Sequence, residues 1–255
     1  MPRAIVLLLS LLLTTSPQAA DRPEPGVMLR AGNWDGEIGT YTVPLPLEKL
    51  SPARWPNDRW HRLVIGADRI VASEVSSAGR QRPRFLESIA SQVIARGANA
   101  SAAAPASDGS GPATEDVVYL RFPGARLRTG EIPLYRFKNG TAQLSPKLDY
   151  RYALQLGDQA FAFTVSNGLK GRSGAPYGEG ARYAIEYDGQ TYEYNLPEYG
   201  WDSRVSAIAD IDGDGKPDFL ISVGGNNSGH EYLLLSSLAR PGRNPPSAAL
   251  HSVGC

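Results

Sequence analysis

Asp210-Ile211-Asp212-Gly213-Asp214-Gly215-Lys216-Pro217-Asp218 packs four carboxylates into nine residues, and the apolar run Phe219 to Val223 follows at once. Two unit charges about 4 Å apart repel by about 4 kcal/mol at an effective dielectric of roughly 20. A cation among the carboxylates turns that cost into a binding energy. Calcium takes about six to eight oxygens at roughly 2.3–2.6 Å in a flexible geometry. Alternate residues of a tight loop can each aim one oxygen at a common centre, and Asp210, Asp212 and Asp214 supply three. Gly215 permits the sharp reversal that follows, having no Cβ to clash at positive φ. Lys216 is expected to offer its main-chain carbonyl, because a residue before proline is pushed into an extended conformation. Asp218 closes the set, directly or through a water. Ca2+ is therefore the expected cofactor. The plainer alternative is a solvated acidic turn, since Asp and Gly are common in turns. Such a turn needs one Asp-Gly, not three spaced aspartates and a fourth after Lys-Pro.

The loop resembles two families. Asp210 to Gly215 match the opening of an EF-hand loop, but Pro217 and Ile221 occupy its eighth and twelfth positions, and neither flank reads as a helix. Val205 to Ala209 and Phe219 to Val223 read as strands. The segment 205–223 more closely resembles an FG-GAP or VCBS repeat, in which Asp-x-Asp-Gly-Asp-Gly-x-x-Asp lies between two β-strands. That resemblance implies calcium ligands at Asp210, Asp212, Asp214 and Asp218 in a strand–loop–strand setting. With a single clear copy, it implies neither a propeller nor adhesion.

Catalytic signatures are sparse. The three histidines, His61, His230 and His251, form no His-Glu-x-x-His, and Gly171-Arg-Ser173-Gly-Ala fails as a nucleophile elbow at its last position. His230 follows a Gly/Asn-rich turn, where it reads as a surface histidine, with an acid–base role as the alternative. A glycosidase pair of acids can lie far apart in a chain and leaves no local signature. Asn167 to Gly180 is glycine-rich and reads as a mobile connection, with close approach to a ligand as the alternative; it has neither the Gly-Lys-Ser/Thr element nor the βαβ setting of a phosphate loop.

Residues 1–20 read as a secretory signal: Arg3, an apolar core from Ala4 to Leu13, and a small polar exit ending at Ala20. Ten residues cannot span a bilayer, which needs about twenty, and no later stretch is long and apolar enough to do so. Export to the periplasm or beyond is expected. Among all 255 residues Lys+Arg and Asp+Glu number 26 each, so composition offers no electrostatic case for nucleic acid or an anionic membrane. Cys255 is the one cysteine. It has no partner within the chain and is either a free thiol or available for an intermolecular disulfide.

The elements that must position the loop read as mainly β, in a β-rich α+β arrangement. An N-terminal α+β part is expected over 21–96, with strands at Leu63–Ile65 and Arg69–Val75 and one short helix near 85–96. The Ala/Ser/Gly/Pro-rich stretch 97–116 reads as a flexible linker or a long disordered loop. A β-rich calcium-binding domain is expected over 117–255. It begins with a strand at Val117–Phe122 and includes antiparallel hairpins at 150–165 and 183–194, the second turning on Asp188-Gly189. Tyr232–Leu235 reads as a last strand, and the Pro- and Ser-rich tail after Arg240 as extended on the surface.

The expected function is that of an exported, non-catalytic calcium-binding protein whose metal loop stabilises the C-terminal domain. The alternative is an exported hydrolase of polysaccharide or peptide with a structural calcium. A third reading is a glycan- or protein-binding module using Trp34, Trp55 and Trp60. The expected partner in any of these is an extracytoplasmic protein or glycan.

Overall fold

The structure is a computed structural model, and it describes residues 26–30, 39–42, 59–75, 116–123, 126–137, 140–156, 159–167, 181–196, 202–224 and 228–254. These residues form a mainly β fold of two sheets, with one 3₁₀ turn at Ser236–Leu238.

The larger sheet contains β1 (Gly26–Arg30), β2 (Gly39–Thr42), β3 (Trp60–Ile65), β4 (Arg69–Val75), β5 (Asp116–Arg121) and β6 (Gly130–Pro133). It also takes in β11 (Asp202–Ala209), β12 (Asp218–Gly224), β13 (Ser228–Leu234) and β15 (Ala248–Gly254). Its order is β11-β12-β13-β15-β1-β5-β3-β4-β6, with β2 paired to the far half of β15. Its two ends meet. The segment that carries β6 donates from Arg128 N–H to Ile211 C=O at 2.9 Å and from Tyr135 N–H to Ile208 C=O at 2.8 Å. The Leu144 and Val205 backbones then exchange two further bonds, at 2.8 and 3.1 Å. The β11 edge is thereby covered, and the sheet curls around its own core. Met28, Leu63, Ile70, Leu120, Ile132, Ala207, Leu220, Leu233 and Ala248 all point into that core.

The smaller sheet, in the order β14-β10-β9-β8-β7, is made of β7 (Arg151–Leu156), β8 (Gln159–Asn167), β9 (Ala181–Tyr187), β10 (Gln190–Leu196) and β14 (Gly242–Asn244). Phe161, Phe163, Tyr183, Ile185 and Tyr194 alternate onto one face, where they pack against Val205, Ile208, Phe219, Ile221 and Tyr232 of the larger sheet. β11, β12 and β13 are therefore buried on both faces: Leu220 and Leu233 point into one core, Phe219, Ile221 and Leu234 into the other. That is why Phe219, Leu220 and Ile221 follow one another in β12 as apolar residues and do not alternate with polar ones. Each such side chain contributes about 1.5–3 kcal/mol on burial.

Both expected hairpins are present. β7 pairs with β8 and β9 with β10, the latter in the register Tyr187↔Gln190. Asp188 and Gly189 take φ of 50° and 68°, the left-handed pair that a two-residue turn needs to follow the strand twist.

Two expectations are corrected. The chain after Arg240 is not a surface tail throughout: Pro241 to Pro245 is largely exposed, but the chain is paired into both sheets and Ser247 and Ala248 are buried. β14 adds a parallel strand to β10, and β15 enters the interior of the large sheet between β13 and β1. Its Pro- and Ser-rich approach hides this, because burial of Ala248 depends on neighbours distant in sequence. Strands before and after 97–116 also belong to one sheet, since β3 and β1 both pair with β5 and β4 pairs with β6. Composition marks an interruption there but carries no information on whether the flanking strands pair. The helix expected near 85–96, residues 1–20, nearly all of the linker and the glycine-rich stretch 168–180 lie outside the described residues.

Candidate metal centre

The β11–β12 hairpin closes through residues 210–217, between the paired residues Ala209 and Asp218. Local hydrogen bonds fold the connection into a compact curl. The Asp212 Oδ1 accepts from Asp214 N–H at 3.2 Å, and the Asp214 Oδ1 accepts from Lys216 N–H at 2.8 Å. These are successive Asx turns, which mimic backbone turns with side-chain oxygens. Gly213 and Gly215 take φ of 83° and 81°, so the chain reverses at the two residues without a Cβ.

Asp218 is fully buried and anchors the curl. Its Oδ2 accepts from Ile211 N–H at 2.7 Å and Asp212 N–H at 3.2 Å. Its Oδ1 accepts from the N–H and the hydroxyl of Ser236, at 2.7 and 2.8 Å. Ser236 and Ser237 come from the 3₁₀ turn after β13, and the Ser237 hydroxyl donates a short bond to Asp212 Oδ2. Asp210 is reached by another segment: Arg128 Nη1 lies 3.2 Å from its Oδ2. The Asp210 Oδ1 is buried and has no hydrogen-bond partner.

One oxygen each from Asp210, Asp212 and Asp218 lie within 4.8 Å of one another. Oxygens on opposite sides of one calcium ion are about 5 Å apart, twice the usual ligand distance, so these three fit a shared cation. Asp214 is directed elsewhere: both its oxygens face the Ser236 hydroxyl, at 2.9 and 3.0 Å. The Lys216 ammonium points away from the loop, to Asp188 Oδ2 at 2.8 Å and over the Tyr187 ring. The structure thus gathers three of the expected side chains. Asp214 stands one hydroxyl away, and Lys216 is seen through its side chain and not its carbonyl.

The oxygens outnumber the protons. Ser236 Oγ lies 2.8–3.0 Å from three carboxylate oxygens but has one hydrogen to give. The electrostatics follow. Burial, then the Asp212 charge, pushes the Asp218 carboxyl well above the usual carboxylate range against the pull of the Ser236 and Ile211 donors. Burial is also the largest influence raising Asp212; the Ser237 hydroxyl opposes it, and the Asp214 and Asp210 charges reinforce it. The Tyr135 phenol, packed nearby, is pushed up to about 12, first by burial and then by Asp210, Asp218 and Asp214. Burial first, and neighbouring carboxylate charge after it, act on all three groups.

Arg128, Ser236 and Ser237 were not anticipated from sequence. The Ser-Ser pair directly after an apolar strand is a local signal for the last two. Arg128 has none, lying 82 residues from Asp210.

His230 is corrected. It is a buried residue of β13 stacked at 6.0 Å on Tyr232, not a surface histidine, because β13 begins earlier than its glycine-rich approach suggests. His61 is likewise buried, on β3. Trp60 is 1% exposed and belongs to the core, while Trp34 and Trp55 lie outside the described residues.

A cleft of about 700 Å³ opens beside the β9–β10 turn, lined in part by Arg136, Arg151, Gln155, Glu186, Asp188 and Thr191. Both of its acids are paired with cations. Arg151 Nη2 lies 2.7 Å from Glu186 Oε2, and Lys216 holds Asp188. The hydrogen bond from Arg151 holds Glu186 below its usual range, the opposite of what a proton-donating glycosidase acid needs.

Among the described residues no helix is long and apolar enough to cross a membrane. No family model, curated protein or solved structure matches the chain.

Proposed function

We propose that the protein is an exported, non-catalytic calcium-binding protein whose metal loop fastens the β11–β12 hairpin to the turn after β13. Asp210, Asp212 and Asp218 would supply direct oxygens, and Asp214 and the Lys216 carbonyl would complete the shell with water. Calcium would contribute the charge that the loop lacks. The observation that carries this is the shortage of donors: three carboxylate oxygens crowd one Ser236 hydroxyl, and a buried Asp210 oxygen has no hydrogen-bond partner. The spacing of Asp210 to Asp218 and its likeness to an FG-GAP loop point the same way. Residues 1–20 suit export into a calcium-rich compartment, where dissociation constants of about 10⁻⁴–10⁻³ M suffice. The partner would be an extracytoplasmic protein or glycan, with Cys255 available for a disulfide to another chain.

The test is thermal melting in millimolar calcium and in chelator, with titration calorimetry alongside. A rise in midpoint with calcium, together with a saturable heat, is expected. No heat and an unchanged midpoint would remove the proposal. The hydrolase alternative gains no support from the cleft, whose acids are both paired with cations.

A further inference from the structure

Arg128 is tied to the acidic loop in three ways. Its backbone N–H bonds Ile211 C=O at 2.9 Å, which fixes where the side chain starts. Its stem lies across Gly213, where a Cβ would stand 3.0 Å from both Arg128 Cγ and Cδ. Its guanidinium ends 3.2 Å from Asp210 Oδ2. Among the described residues this is the ion pair made by a loop aspartate. A guanidinium keeps its charge at every accessible pH.

We propose that Arg128 is the resident counter-cation of the metal-free loop, and that it competes with an incoming divalent ion for Asp210. The competition rests on the calcium binding proposed above; the counter-cation role does not. Four carboxylates without metal need positive charge, and the backbone bond to Ile211 delivers it. Once a divalent ion enters between Asp210, Asp212 and Asp218, the guanidinium on Asp210 faces a like charge at short range. Its side chain is 42% exposed, so the head has solvent to swing into. Gly213 then serves two ends: it takes the left-handed φ of the curl, and it leaves room for the arginine to lie flat across it.

The experiment compares the wild-type protein with Arg128→Met, which keeps a stem of similar shape without the charge, and with Arg128→Lys. Calcium chloride is titrated calorimetrically at low ionic strength. Metal-free melting in chelator is measured for the same proteins and in an Asp210→Asn background. Calcium should bind Arg128→Met about tenfold more tightly than wild type, the scale expected for removing one nearby charge, and Arg128→Lys should stay near wild type. Metal-free Arg128→Met should melt lower than wild type, and that loss should vanish when Asp210 is already Asn. Equal or weaker calcium binding by Arg128→Met overturns the competition and leaves the calcium site standing. An unchanged metal-free midpoint overturns the counter-cation role. Absence of calcium binding in both proteins overturns the calcium site and the competition with it, and the metal-free midpoints then decide the counter-cation role alone.

Discussion

Ser236 and Asp218 are joined twice through one oxygen: the Ser236 N–H and hydroxyl both donate to Asp218 Oδ1, at 2.7 and 2.8 Å. The first residue of β12 is thereby fixed to the turn that leaves β13. The bond spans two strands that already pair with each other, so the carboxylate locks a corner of the hairpin stack whether or not a metal is present.

Asp218→Asn should therefore destabilise the protein in chelator as well as in calcium. An amide turns one acceptor oxygen into a donor facing the Ile211 and Asp212 N–H groups or the Ser236 donors. The expected loss is about 3 kcal/mol, the cost of breaking hydrogen bonds to a buried acceptor and leaving buried donors unpaired. Denaturant melts in both media measure it. A loss confined to the calcium-containing sample would show that the four hydrogen bonds carry no structural weight.

Asp212→Asn should behave in the opposite way. Burial and the neighbouring Asp214 and Asp210 charges make the ionised form of Asp212 costly. Its folded pKa is raised, so the folded state takes up a proton at a higher pH than the unfolded chain. The cost is present near neutrality and is relieved as pH falls through the raised value toward the ordinary carboxylate range. In chelator at neutral pH, Asp212→Asn should melt at or above wild type, and the difference should close on acidification. Its midpoint gain from calcium should be lost, since a direct ligand is gone. A variant that melts below wild type in chelator at neutral pH would contradict the repulsion.

His61 gives a pH effect of its own, away from the loop. Burial lowers its pKa from 6.5, with Glu74 opposing and Arg59 assisting. As pH falls below about 6.5 the unfolded chain binds the proton first, and the folded state loses stability until its own lower pKa is reached. The midpoint of wild type minus that of His61→Phe should therefore decrease between pH 7 and roughly 5. A difference independent of pH would mean that His61 titrates normally in the folded protein.

Gly26→Ala tests the packing of β1 on β15. A Cβ at residue 26 would stand 2.2 and 2.4 Å from Phe122 ring carbons and 2.9 Å from the Ala248 Cβ. The ring is buried and Ala248 is held in the sheet, so neither moves freely. The expected cost is about 1–3 kcal/mol of overpacking, read as a lower denaturation midpoint in calcium and in chelator alike. A neutral substitution would show that the seam repacks.

How much of this was written in local sequence differs by element. Asp188-Gly189 between two alternating strands names its own turn, because the φ values are set by those two residues alone. The Asp210–Asp218 curl is equally local: its Asx bonds run two residues along the chain. β15 is not legible, since β1 and β2, far off in sequence, place it together with β13, and its own residues include two alanines and no run of branched chains. His230 was misplaced for a related reason: a glycine-rich approach looks like a turn until the pairing of β13 with β12 extends the strand back through it. Arg128 reaches Asp210 only after the two ends of the large sheet meet. Residue spacing records the acids of a loop, but not the cation that a distant edge brings over them.

The parallel neighbours β1 and β15 join Gly26 and Val27 to Ala248 and Ala249. That seam closes a loop that contains most of the described strands. Until then Met28 and Leu233, which end in one core, face an incomplete wall. Closing so long a stretch is entropically slow, and unpaired strand edges left waiting can join other chains. Until that seam closes, the chain depends on whatever shields its open edges more than a protein assembled from consecutive hairpins would.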